Sequence, residues 1–272
     1  MSDLPVIGAA LTVPDLERHH NWLRAAPRDL ELQDFMFAEL LEGDWRGRVE
    51  AAKRWLDGLE GRLGLHGPFY SLPLDGWDPA VRDIMRRRLD QALDVCKALG
   101  ATQLVLHSPY RSWDYNNIDR WPEARAALIE RCHLTMGDAV ARAESEGVTL
   151  VIENIEDRDP RDRVNLARSF GSPAVAVSLD TGHALYAHGA LGAPPVDYHV
   201  LLAGELLHHI HLQDADGYAD RHWAPGKGSV NWHALFAALA QTGAKPRLLL
   251  EMNDANDTIP GAEWLARAGL AR

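Results

Sequence analysis

Gly147-Val148-Thr149-Leu150-Val151-Ile152-Glu153-Asn154 is the stretch from which the rest of the chain can be read. It holds a short apolar run, opened by a glycine and ended by a carboxylate. The segment before it, Pro122 to Glu146, has a helical pattern that Gly147 closes. After it come a short helix near Arg161 to Phe170 and another strand run, Ala174 to Leu179. The same alternation continues in both directions. Upstream, strand runs at Val6 to Leu11, Leu30 to Gln33, Leu63 to His66 and Gln103 to His107 are separated by helical patterns. Those patterns lie near Leu16 to Ala25, Asp44 to Leu59 and Pro79 to Leu99, with Pro79 in the first turn and Gly100 past the end of the last. Downstream, an irregular stretch and a helix near Tyr198 to Leu206 lead to strands Leu207 to Leu212 and Arg247 to Met252. Helices near Trp232 to Gln241 and Ala262 to Ala268 follow those strands. Strand–helix alternation implies right-handed βαβ units and a parallel sheet. Eight such units over residues 1–272 predict one α/β domain, a closed (β/α)8 barrel, with a doubly wound open sheet as the alternative.

Composition narrows the function classes. With 28 basic and 39 acidic residues the formal charge is −11, which argues against a nucleic-acid partner because phosphate binding relies on Lys and Arg. The 2 cysteines, Cys96 and Cys132, fall in helical patterns and make no secreted-type disulfide framework. Met1-Ser2-Asp3-Leu4-Pro5 lacks the regions of a signal peptide. No apolar run reaches the roughly 20 residues of a membrane span. The expectation is a cytoplasmic protein without a membrane partner. Histidine is abundant, at 13 residues, and it is the commonest metal ligand.

In such a barrel, chemistry sits at the carboxyl ends of the strands. Strands 3 to 8 end in His66, His107, Glu153, Asp180, His211 and Glu251. One polar strand end is commonly no more than a hydrogen-bonded terminus. Six at one mouth are different, because carboxylates are costly to bury without a partner. Glu153, Asp180 and Glu251 should raise one another's pKa unless a cation lies between them. Mixed imidazole and carboxylate donors without thiolate suit zinc, manganese, iron or cobalt better than calcium. His183 follows Asp180 by three residues, and Asp220 and His222 follow strand 7 in a loop that can fold back over the mouth. His19, His20, His133, His188, His199 and His233 read as structural. His209 shares the inward parity of His211 one layer deeper and reads as a supporting or core residue, whereas His208 has the opposite parity. Phe69, Tyr110, Trp113 and Trp223 lie in carboxyl-end loops, where they either pack the loops or line a sugar pocket.

As an ordered set, these segments resemble the xylose isomerase-like TIM barrels, over nearly the whole chain from Val6 to about Trp264. They are Leu65-His66-Gly67-Pro68-Phe69, Val105-Leu106-His107-Ser108-Pro109, Val151-Ile152-Glu153-Asn154, Leu179-Asp180-Thr181-Gly182-His183, His209-Ile210-His211-Leu212-Gln213-Asp214, Asp220-Arg221-His222 and Leu249-Leu250-Glu251. The superfamily contains sugar isomerases and epimerases, dehydratases and endonuclease IV. The isomerase branch implies one divalent metal between Glu153, Asp180, His211 and Glu251. The endonuclease IV branch implies three zinc ions on nine ligands, all matched here: those four with His66, His107, His183, Asp220 and His222. Departures separate the branches. Where endonuclease IV carries a DNA-reading loop rich in Arg, Asn and Gln, this chain has the apolar, acidic Leu32 to Asp44. Lys227 stands where both branches usually carry an acidic residue, and is read either as a solvated cation or as a contact for an anionic substrate group.

The resemblance therefore implies a divalent-metal-dependent isomerase or epimerase acting on a sugar, sugar phosphate or keto-polyol through a metal-stabilised enediolate. Glu153 and Glu251 are the expected acid and base. His107 and His183 are read as binding substrate hydroxyls or a further metal, with Trp113 and Lys227 as weaker substrate contacts. Zinc and manganese lead among the metals, with one to three ions per chain. The alternatives are a three-zinc phosphodiesterase acting on abasic DNA and a keto-polyol or dehydroshikimate-type dehydratase. A homo-oligomer is left open.

Overall fold

The computed structural model describes residues 4–272, so the expectation attached to Met1, Ser2 and Asp3 lies outside the described residues. Eight parallel strands close into one barrel in sequence order. They are β1 (Gly8–Leu11), β2 (Leu30–Leu32), β3 (Leu63–His66), β4 (Gln103–His107), β5 (Thr149–Glu153), β6 (Val175–Asp180), β7 (Leu207–Leu212) and β8 (Arg247–Leu250). β1 pairs with β8 through Gly8 and Leu249, which removes both sheet edges and excludes the open-sheet alternative. Gly8 is required at that seam, because a Cβ there would collide with the backbone carbonyl of Asp29.

Local chemistry starts and stops the helices where the sequence indicates. Asp78 caps the helix Pro79–Leu99 by accepting from Ala80 N at 2.8 Å, and Gly100 ends it at φ 70°. Asp159 caps Pro160–Ser169 in the same way through Arg161 N at 3.0 Å. The main difference lies after β6. The sequence reading leaves an irregular stretch there, but Thr181–Tyr186 is helical and runs into a wider π-type turn over Ala187–Leu191. The signal was in the site itself: Asp180 Oδ1 accepts from His183 N at 2.7 Å and so caps this helix.

The apolar core lies mainly between the strands and the surrounding helices, with a small separate cluster of Val105, Val151 and Ala176. Glu31, Gln103, Ser178, His209 and Arg247 are also buried. A register shift between β6 and β7 pairs Val177 with Leu207 but Ser178 with His209. The skipped residue, His208, is exposed, while His209 and His211 are buried. Among the described residues, no helix is long and apolar enough to cross a membrane.

Candidate metal centre

Glu153, Asp180, His211 and Glu251 each offer one donor atom to a group whose atoms lie within 4.8 Å of one another. β5, β6 and β7 deliver the first three, and Glu251 follows directly on β8. Two further groups flank this one under the same limit: His66, His107 and Glu153 on one side, and His183, Asp220 and His222 on the other. All nine residues read from the sequence as metal candidates therefore converge at one mouth, with Glu153 shared between two groups.

Hydrogen bonds aim the donors. His66 Nδ1 donates to Gly67 O at 2.9 Å, His183 Nδ1 to Asn154 O at 2.9 Å and His222 Nδ1 to Glu251 O at 3.1 Å. A carbonyl oxygen only accepts, so each of these rings carries its proton on Nδ1 and turns Nε2 toward a carboxylate. His66 Nε2 lies 3.8 Å from Glu153, His183 Nε2 3.3 Å from Asp220 and His222 Nε2 3.0 Å from Asp220. His211 is reversed. Its Nδ1 lies 2.5 Å from Glu153 Oε1 and 3.3 Å from Glu251 Oε2, while Nε2 meets Glu31 Oε1 at 3.0 Å.

Three amides hold the acidic residues, one through the backbone and two through the carboxylates. Asn154 spans β5 and β6, donating to Asp180 O and accepting from Asp180 N, both at 2.9 Å. Gln213 Nε2 donates to Asp180 at 3.1 Å and to Asp220 at 2.9 Å, and its Oε1 accepts from His222 N at 2.8 Å. That bond helps hold His222 at φ 47°, a backbone conformation a non-glycine residue rarely adopts. Gln33 donates to Glu251 Oε1. Sequence reading assigned no role to Glu31, Gln33 or Gln213. For β2 the signal was a carboxylate between two leucines on a strand, with Gln33 at the same parity.

The electrostatics are those of a site built around positive charge. Burial would raise the Glu153 carboxyl, but the charge and hydrogen bonds of His211, His66 and His107 pull it well below the usual carboxylate range. The expected like-charge rise therefore fails at Glu153, because three imidazoles surround it. It does operate at Asp180, where burial and the charges of Glu153 and Glu251 outweigh His183 and His222 and push the carboxyl up to about 6. Burial pulls on every imidazole, but the carboxylates overcome it at four of them, His66 among them through Glu153 and Glu31. His211 and His183 lie well above the ordinary histidine value, and His222 rises to about 9. His107 goes the other way, to about 3, because burial and its neighbouring imidazoles outweigh Glu153. Carboxylates that hold imidazolium protons at these separations form a mixed N and O donor set into which a divalent cation fits.

The weaker substrate candidates sit farther out. Trp113 lies on the helix Ser112–Asn117 and is 77% exposed. Lys227 Nζ is 2.8 Å from Asp257, so its charge is answered on the rim. Phe69 stacks on His107 with ring centroids 3.8 Å apart, and Tyr110 is buried.

This barrel, with histidines and carboxylates gathered at the strand ends, defines a class, and the family profile of the xylose isomerase-like TIM barrels matches residues 29–268. The chain belongs to that family. A ketose 3-epimerase of Arthrobacter globiformis is 24% identical over 193 residues, covering 67% of this chain and 60% of its own. The structure of a D-tagatose 3-epimerase-like protein superimposes with a TM-score of 0.77 at 18% identity, over 96% of both chains. The TTHB071 protein of Thermus thermophilus, whose crystals were soaked with ZnCl2, superimposes with a TM-score of 0.72 at 26% identity, over 97% of this chain and 98% of its own.

Proposed function

We propose that the protein is a divalent-metal-dependent sugar isomerase or epimerase. The observation that carries this reading is the convergence of Glu153 and Glu251 on His211 Nδ1, 2.5 and 3.3 Å from that one ring nitrogen. Two carboxylates that converge on one point from β5 and from the end of β8 can serve as base and acid on one small substrate. The likeness to a ketose 3-epimerase supports a ketose-type substrate.

A divalent ion held by Glu153, Asp180, His211 and Glu251 would supply Lewis-acid polarisation of a substrate carbonyl. One glutamate removes the proton from the carbon beside that carbonyl, giving an enediolate. The other returns a proton to the same carbon from the opposite face in an epimerase, or to the neighbouring carbon in an isomerase. Glu153, fully buried, is held by His211 and by the two imidazoles of the His66–His107 group. Glu251 stands nearer the rim and is held by Gln33. His107 and His183 border the same space and can hydrogen-bond substrate hydroxyls.

A specific observation also favours a second reading. The His66–His107–Glu153 and His183–Asp220–His222 groups give the chain a complete set of three adjoining donor clusters. Three ions at one mouth suit phosphodiester hydrolysis, as on abasic DNA. Against it stand the −11 charge and the acidic segment after β2, where Asp34 is buried and accepts from Val13 N at 2.7 Å. Metal content and product analysis separate the two. About one ion per chain with interconversion of ketoses supports the first, and close to three zinc ions with incision of abasic duplex supports the second.

A further inference from the structure

We propose that Glu31, on β2, is the positioning residue that turns His211 to face the centre through Nδ1. This rests on the reading that the central group holds a metal ion.

His211 is the odd imidazole of the site. His66, His183 and His222 each give their Nδ1 proton to a backbone carbonyl and present Nε2. Among the described residues, no carbonyl orients His211. Its outward nitrogen, Nε2, lies 3.0 Å from Glu31 Oε1, across the barrel and 180 positions away in the chain. The Glu31 carboxylate accepts the Nε2 proton, so Nδ1, which shares its own proton with Glu153, is the nitrogen left to bind a cation once that proton is released. Metal-bound imidazoles are commonly held in this way by a carboxylate on the other ring nitrogen.

Glu31 is itself fixed. It is 1% exposed, and its second oxygen lies 3.1 Å from His209 Nε2, which has no well-aligned hydrogen-bond partner of its own. His209 Nδ1 meets Ser178 Oγ at 2.7 Å, in a fully buried contact across the β6–β7 register shift. The order Ser178, His209, Glu31, His211 thus runs through the barrel interior from β6 by way of β7 to β2 and back to β7, ending at the donor cluster. Glu31, His209 and His211 also lie close enough together to form a donor group. The hydrogen-bonding direction makes it the support of the site. His211 spends Nε2 on Glu31 and turns its other nitrogen inward.

The test uses the full-length protein with Zn2+ alone as the probe. In Zn2+-loaded wild type, long-range 1H–15N correlations should place the metal on Nδ1 of His211, with the proton retained on Nε2. Metal on Nε2 of His211 overturns the assignment, and this measurement needs no variant. In Glu31→Gln, with the fold checked by circular dichroism, competition against a zinc chelator should show affinity weakened by about 10- to 100-fold. A folded Glu31→Gln protein that binds Zn2+ within twofold of wild type overturns the role of Glu31 while leaving the metal reading intact. Wild type that binds no Zn2+ overturns the metal reading, and this inference with it.

Discussion

Glu153 Oε1 and His211 Nδ1 lie 2.5 Å apart, joining the end of β5 to the end of β7 inside the barrel mouth. The same carboxylate faces His107 Nε2 at 3.5 Å and His66 Nε2 at 3.8 Å. One residue therefore serves the central group and one flanking group. Glu153→Gln keeps the shape and removes the charge from both. Metal titration should show loss at the central group together with any ion on His66 and His107, and turnover should fall by about a hundred- to ten-thousand-fold, the range for a lost acid or base. Undiminished metal binding in this variant would contradict the shared role.

The outer group gives a separable outcome. Asp220 lies 3.3 Å from His183 and 3.0 Å from His222. Asp220→Asn should weaken binding there and leave the four central donors in place. Elemental analysis would then show one ion fewer per chain if the outer group is filled, and no change if only the central one is. Loss of all metal would mean the groups are not independent.

Gly182 probes the support of the carboxylates. A Cβ at this position would collide with the Gln213 side chain, which bonds Asp180, Asp220 and the backbone of His222. Gly182→Ala should cost about 1–3 kcal/mol as overpacking and should weaken metal binding as well, since Gln213 must move. Denaturant titration and metal competition on the same sample check both. Lost stability with unchanged metal affinity would show that Gln213 does not hold the site.

His199 sets an acid limit on stability away from the centre. It is 1% exposed, neither ring nitrogen makes a well-aligned hydrogen bond among the described residues, and burial followed by the charge of Arg163 lowers its pKa to about 3. An unfolded histidine titrates near 6.5, so between that value and about 3 the unfolded chain binds the extra proton. Stability is therefore fully present above about pH 6.5 and falls as the pH drops, by up to about 1.4 kcal/mol per pH unit. Relative to His199→Leu, wild type should lose stability between pH 7 and 5 in urea titrations. Parallel pH profiles for the two proteins would contradict this.

The barrel was legible because each strand is a short apolar run closed by a polar residue and followed by a helical pattern. Leu63–His66 and Pro79–Leu99 have the bounds the sequence suggests. The convergence of six of the nine candidates was legible for the same reason, since strand ends share one mouth, while His183, Asp220 and His222 come from the helix and loop that follow β6 and β7. Glu31 was not. It sits between Leu30 and Leu32 in a three-residue strand, and only barrel closure brings it to His211. Gln213 and Gln33 were hidden because an amide at a strand end carries no charge that demands a partner. The helix after Asp180 was missed because its cap is a site carboxylate, and the chain around it offers few other helix signals.

In the proposed reaction Glu153 and Glu251 move a proton on a carbon beside a ketose carbonyl. Deuterium wash-in tests it most directly. Metal-loaded protein is incubated in D2O with a panel of ketoses and polyol-derived ketones, and carbon-bound deuterium is followed by NMR. Deuterium is expected at the carbon adjoining the carbonyl of at least one sugar, abolished by chelator and lost in Glu251→Gln. Absence of wash-in across the panel, with abasic duplex DNA cleaved by the same zinc-loaded preparation, would contradict it.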